Sequence, residues 1–249
     1  MNLLLLAGAG VVAGAVNSVI GSGTLLTYPL LLAAGLPPVV ANGTNSLGIA
    51  PGNAFGAWGY RRELAGRRRE VMPMALLIGL GAIVGAAAVL VLPSSVFARV
   101  VPWLILVACA LVVVQPYVVR ALQRRGIDPT SLPRRALVPV LLAVGIYAGY
   151  FGAAQGIILM AALATLYDVD LQRSNAAKNV LQGVSNATAA VVFAIAGAVN
   201  WPAAIAVGAG ASVGGLIGAP FARRLPDAVL RAIIVAVGLV AAGVSIARA

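Results

Sequence analysis

The first sixty residues of the chain contain no charged side chain, and the stretch from Met74 to Phe97 contains none either. A soluble surface carries a charge at about one position in four. Here 17 basic and 6 acidic side chains are shared among 249 residues, of which 61% are hydrophobic. Disorder, a disulfide scaffold and a cytosolic enzyme are excluded on that ground. Repeated apolar runs of about 17 to 25 residues match a hydrocarbon core about 30 Å thick. They are continuous rather than alternating at every second residue, which selects helices over a transmembrane barrel. The expected fold class is an all-α integral membrane protein with about 8 to 10 membrane segments.

The composition narrows the chemistry. Cys109 is the lone cysteine and lies in an apolar run, so no disulfide forms within the chain and a packed, inert thiol is expected. Histidine is absent, which removes the commonest metal ligand and the side chain that titrates near neutrality. No metal and no cofactor are expected. A net charge of +11 confined to short loops is what membrane topology demands, not a sign of nucleic acid. The start, MNLLLLAGAG, lacks the basic region of a cleaved signal peptide and is expected to remain as a membrane segment.

Gly, Pro and charge clusters divide the chain into apolar segments at about 3–20, 24–36, 39–60, 72–92, 99–119, 136–152, 156–167, 174–197, 202–220 and 227–247. Three organisational units follow: a first membrane repeat over 1–119, a basic cytoplasmic loop over 120–135 and a second membrane repeat over 136–249. One loop holds Arg61, Arg62, Arg67, Arg68 and Arg69, and the next charged one Arg120, Arg124, Arg125, Arg134 and Arg135. With Arg173, Lys178, Arg223, Arg224 and Arg231 on the same side, fifteen of the 17 basic residues face the cytoplasm, leaving Arg99 and Arg248 outside. Both termini then lie outside. Segments 3–20 with 24–36, and 136–152 with 156–167, must each leave and return to one face as a hairpin or broken helix. Twelve residues at about 1.5 Å each cover about 18 Å, short of a crossing.

A shift of 133 positions superimposes Gly23 on Gly156, Leu26 on Leu159, Leu30 on Leu163, Asn42 on Asn175, Asn53 on Asn186 and Ala54 on Ala187. It also sets Asn45 on Lys178 and Ser46 on Asn179. The first copy starts outside and the second inside, so an inverted repeat is expected, the architecture of secondary transporters with a midplane site between the copies.

Candidate substrate-binding residues come from the two breaks, Gly21, Ser22, Gly23 and Thr24 with the preceding Asn17, and Gly152, Gln155 and Gly156. They come also from the polar stripes that follow, Asn42, Thr44, Asn45, Ser46 and Asn53, and Asn175, Lys178, Asn179, Gln182 and Asn186. Helical spacing puts 42, 45 or 46, and 53 on one face. Such groups need partners in a membrane interior. The plainer reading is interhelical glue at about 0.6 kcal/mol per amide. Two matched stripes, each following a Gly-rich break, point instead to a hydrated substrate path. They offer amide and hydroxyl donors and one cation, Lys178, with carboxylates only at the inner boundary, Asp168 and Asp170. Donors and helix starts suit an oxyanion. Lys178 has two readings, a direct contact with substrate or snorkelling to the inner headgroups. Gly21-Ser22-Gly23-Thr24 lacks the Gly-Lys ending of a nucleotide loop. Gly210, Gly214 and Gly218, and Gly81 with Gly85, are spaced for close helix packing within the bundle rather than for a dimer face.

NSVIGSGTLLTYPLLLAAGLPPVVANGTNSLG resembles the amino-terminal signature of the TauE/SafE sulfite exporter family, a Gly-rich break followed by a Pro, a short turn and a helix start. GIYAGYFGAAQGIILMAALATLYDVDLQRSNAAKNVLQGVSN is similar to that family's second half, including Lys178-Asn179, and Asn200-Trp201 follows. Ser22, Thr24, Ala153, Ala154 and Gln155 depart from the family's pattern. The resemblance implies transport of sulfite, sulfonates such as sulfoacetate, or related small anions across a bacterial inner membrane, usually outward.

The reading is a secondary transporter exporting a small sulfur-containing oxyanion by alternating access; a small-anion channel or a carrier of another small organic anion is the alternative. A membrane enzyme lacks a credible constellation, with one Cys, no His, and Glu63 and Glu70 in a basic loop. The expected partners are the small anion and the lipid bilayer, with a homodimer left open and nucleic acid excluded. Export of an anion from a negative interior gains about 2.3 kcal/mol per charge per 100 mV, so no coupling ion is required.

Overall fold

A computed structural model of the chain describes residues 2–125, 134–168, 170–222, 232, 235–240 and 242–243. Among these the α-helices run in the order α1 (Leu3–Val19), α2 (Thr24–Ala33), α3 (Pro38–Gly59), α4 (Arg68–Val91), α5 (Ser94–Arg125), α6 (Leu137–Tyr150), α7 (Gln155–Leu166), α8 (Leu171–Ile195) and α9 (Trp201–Ala222). A turn of 3-10 helix, Arg134–Ala136, leads into α6. The segment expected over 227–247, and Arg223, Arg224, Arg231 and Arg248, lie wholly or largely outside the described residues, as do 126–133 of the basic loop.

Helix ends follow local chemistry more than the limits of apolar runs. Asn2 caps α1 by accepting from the backbone N–H groups of Leu4 and Leu5 at 3.1 and 3.2 Å. Asp170 caps α8 in the same way through Gln172 and Arg173, so that helix starts at Leu171, three residues before the expected 174. α5 likewise exceeds its expected span of 99–119 at both ends, because a backbone ladder does not stop where apolar side chains give way to Arg120 and its neighbours. Asn200 accepts from Ala203 N–H at 3.1 Å and starts α9.

The short helices α1 and α6 end by one device. Gly21 (φ +84°) donates to Val16 O and Gly152 (φ +71°) donates to Tyr147 O, in each case five residues back. A residue in the left-handed region just past the last turn is the usual helix terminator, and glycine adopts it without a Cβ clash. Both breaks are buried throughout, residues 20–28 and 151–157 alike. Ala154 also takes positive φ, +57°, directly before α7, at a cost of about 1–2 kcal/mol for a non-glycine residue.

Among the described residues three helices are long and apolar enough to cross a membrane by length and composition: Arg68–Val91, Ser94–Val114 and Trp201–Gly218. Their outward faces are apolar, with Leu76, Leu80, Trp103, Ile205 and Leu216 exposed, as lipid contact requires. α3 and α8 have 22 and 25 residues but carry the polar stripes, and both bury them inside the bundle.

Packing is by small residues and is reciprocal between the halves. α1 lies along α9 in parallel, Gly10 against Val207 and Gly218 against Ala15; α6 lies along α4 in parallel, Gly145 against Ile78 and Gly149 against Ala82. The 133-residue shift also carries Gly81 and Gly85 onto Gly214 and Gly218, so the opening helix of each half packs on a matched helix of the other. α3 packs on α9 as α8 packs on α4. The matched helices α3 and α8 cross antiparallel, Gly43 meeting Phe193 and Gly56 meeting Asn179. The glycine stripes are thus used inside the bundle, as their spacing suggested.

Steric room decides which glycines matter. A Cβ on Gly14 would lie 2.8 Å from Ala211 Cα, whereas one on Gly8, in the same helix, meets nothing within 4 Å. Gly14→Val is expected to cost about 1–3 kcal/mol as overpacking and to lower the thermal midpoint in detergent, while Gly8→Val leaves it unchanged; equal behaviour of the two would mean that α1 does not pack on α9.

Candidate functional site at the meeting of two helix breaks

The two breaks touch. Gly156 N–H donates to Gly21 O at 3.1 Å, and a Cβ on either glycine would lie 2.5 Å from the other's Cα, well inside van der Waals contact. Phe151 of the second break stacks edge-on against Tyr28 of α2, ring centroids 5.0 Å apart. Four helix ends therefore converge in the interior: the C-terminal ends of α1 and α6 and the starts of α2 and α7.

Each end carries orphan backbone groups that water does not reach, and the predicted residues satisfy many of them. Asn42 donates to Tyr150 O at 3.0 Å, and its counterpart Asn175 donates to Ser18 O at 3.4 Å, so each half caps the broken helix of the other. Asn179 adds a bond to Ser18 O at 3.1 Å. Lys178, fully buried, points Nζ at Asn17 O, Ser18 O and Val19 O at 3.3, 3.2 and 3.4 Å. The snorkelling reading of Lys178 is thereby overturned: the nearest oxygens are those of the α1 end, and the ammonium turns inward to them.

Asn17 is the hub. Its Nδ2 donates to Asn53 Oδ1 at 2.6 Å, and its Oδ1 accepts from Gly23 N–H at 3.1 Å and from Gln182 Nε2 at 3.3 Å. Gln155 exchanges hydrogen bonds with Ser185 at 3.2 and 3.3 Å. Ser22 and Asn186 are buried here too. Ser22 Oγ, Asn53 Nδ2, Gln182 Oε1 and the Oδ1 atoms of Asn42, Asn175 and Asn179 have no protein partner.

Not every stripe residue reaches this centre. Asn45 bonds Thr24 Oγ1 at 3.1 Å and accepts from Thr27 Oγ1, holding α3 to α2. Thr44 accepts from Asn200 N–H at 2.9 Å, fixing the α8–α9 turn, and Ser46 bonds back to Asn42 O. Gly152 ends α6 and accepts from Gln155 N–H, away from the Gly21 contact. For Thr44, Asn45 and Ser46 the glue reading describes the bonds made. Sequence reasoning missed Ser185, Tyr147 and the Ser18 and Tyr150 carbonyls: backbone oxygens leave no signature in composition, and Tyr147 serves by giving its hydroxyl to Ala153 O.

At the polar end of the bundle, Arg67 pairs with Asp168 at 2.7 Å and Arg173 lies 3.7 Å from the same carboxylate, joining the α3–α4 and α7–α8 connections. The hydrogen bond to Tyr167 raises the Arg67 guanidinium above its ordinary pKa.

The crossed caps make a symmetric prediction. Asn42→Ala and Asn175→Ala each strip a donor from a buried helix-end carbonyl, a loss of about 1–3 kcal/mol. Both are expected to reduce substrate transport strongly while the protein still inserts; full transport by both would mean that the breaks take no part in the cycle.

Residues 6–245 match the family described as Sulfite exporter TauE/SafE. The chain is similar to probable membrane transporter protein ORF9 of Sinorhizobium sp, 29% identical over 93% of this chain and 87% of that one. It is also similar to a probable membrane transporter protein of Haemophilus influenzae, 26% identical over 91% and 87%, and to probable membrane transporter protein YfcA of Escherichia coli, 28% identical over 92% and 83%. No solved structure is a significant match. With a family match across nearly its whole length and a bundle of apolar helices around two broken ones, the chain belongs to the TauE/SafE family of membrane transporters.

Proposed function

We propose that this transporter moves a small sulfur-containing oxyanion, sulfite or an organosulfonate such as sulfoacetate, outward across a bacterial inner membrane by alternating access of two inverted repeats. The contact between Gly21 and Gly156 carries the reading. Of the four helix ends that meet there, the C-terminal ones bear partial negative charge, and Lys178, Asn42, Asn175 and Asn179 already occupy their carbonyls. The starts of α2 and α7 bear partial positive charge and have no acidic residue in their first turns. The charge that this balance accepts is an anion. Ser22 Oγ and Asn53 Nδ2 add donors without protein partners.

The tight contact of the breaks supports alternating access: even a methyl group on Gly21 would overlap Gly156. Reciprocal packing of matched helices and the antiparallel crossing of α3 and α8 support inverted halves that can rock about the centre. The arginine-rich connections around Arg67 and Asp168 would face the cytoplasm and both termini the outside. The family's description supplies the sulfur oxyanion.

Purified protein is to be heated with sulfite, thiosulfate, sulfate, sulfoacetate, taurine or lactate. One sulfur oxyanion is expected to raise the midpoint in a saturable manner, since a ligand of the folded form stabilises it by mass action. Reconstituted vesicles should show saturable flux of that anion. Stabilisation by lactate alone would move the assignment to an organic-anion carrier, and unitary currents to a channel.

A further inference from the structure

Lys178 has an environment that its sequence position does not announce. It is fully buried, and its ammonium has three N–H donors, matched in number by three backbone oxygens at 3.2–3.4 Å. All three oxygens belong to the last turn of α1, a helix that stops inside the protein. The carboxylates of the described residues, Glu63, Glu70, Asp168 and Asp170, stand in connections or at a helix start and not beside it. Among the described residues its partners are therefore carbonyl oxygens at the negative end of a helix dipole.

Carbonyls at the end of a broken helix are the ligands by which coupled carriers hold a sodium ion or a proton-bearing group. Here Asn175 and Asn179 converge on the central oxygen of the set, Ser18 O, and each carries a buried carbonyl oxygen of its own without a partner. The first half has no equivalent charge: Asn45 occupies the matched position and spends its amide on Thr24 and Thr27. One end of the broken-helix pair is thus built as a cation seat, and an amino-acid side chain fills it.

From this geometry we infer that Lys178 is a tethered replacement for a dissolved monovalent cation, and that the carrier consequently runs without coupling to one. The ammonium neutralises the α1 end and leaves the anion to the starts of α2 and α7. The second clause rests on the transport reading above; the first, the nature of the seat, does not.

Lys178→Ala opens the seat, and Lys178→Met fills it with a side chain of similar length and no charge. Purified parent and both variants are to be unfolded thermally in choline chloride, with sodium, potassium or ammonium chloride substituted at constant ionic strength. One small cation is expected to raise the midpoint of Lys178→Ala along a saturation curve and to leave parent and Lys178→Met unmoved. Flux in parent vesicles is expected to be the same in choline as in sodium or potassium, while Lys178→Ala regains flux with the cation that stabilises it. No specific cation shift in Lys178→Ala would overturn the seat, as would an equal shift in all three proteins. A sodium or potassium requirement in the parent would overturn the uncoupled cycle. Should Lys178→Ala not accumulate, Lys178→Ser takes its place, and the parent flux measurement decides on its own. Absence of anion flux in the parent, beside a clear cation shift in the variant, would refute the transport reading and keep the seat.

Discussion

Two helices that stop in the interior set the terms for the rest of this protein. A helix end exposes orphan carbonyls, and in a membrane core no water is available to satisfy them. α1 and α6 both end this way, beside Gly21 and Gly152. Asn42, Asn175, Asn179 and Lys178 answer the resulting demand, and their positions explain why α3 and α8 carry polar stripes at a cost to membrane stability. Without the breaks those amides would be liabilities; without the amides the breaks would be untenable.

The caps cross from one half to the other, so the structural debt of each half is settled by its counterpart. Asn42 serves the end of α6, and Asn175, Asn179 and Lys178 serve the end of α1. Outside this centre the halves grip through glycine and alanine, α1 on α9 and α6 on α4, where backbones approach too closely for side chains to intervene. Van der Waals contact of this kind is what associates helices in lipid, where no hydrophobic force acts between them. The result is closely packed helix pairs around a centre held by a few hydrogen bonds.

Much of the helical order was legible in the residues. Uncharged runs gave the segments, and their limits missed chiefly where a cap or a polar extension moved them, as at Asp170 and at the two ends of α5. The glycines at 21, 23, 152 and 156 marked the interruptions. The polar stripes were legible as a set but not individually: Thr44, Asn45 and Ser46 share a helix with Asn42 and Asn53, yet bind the α8–α9 turn, α2 and their own backbone. A helical face spans a wide angle, and a few tens of degrees decide which neighbour a side chain meets.

By itself the sequence determined that the chain is a bundle of membrane helices, where those helices break and that two stretches share a pattern, because hydropathy, glycine and polar spacing act locally along the chain. Which end Lys178 serves, that Gly21 meets Gly156, and that Asn42 and Asn175 exchange their donors across the halves were decided only by tertiary structure. The reason is physical: the partners are backbone oxygens and bare Cα atoms, identical in every residue, and only packing selects among them.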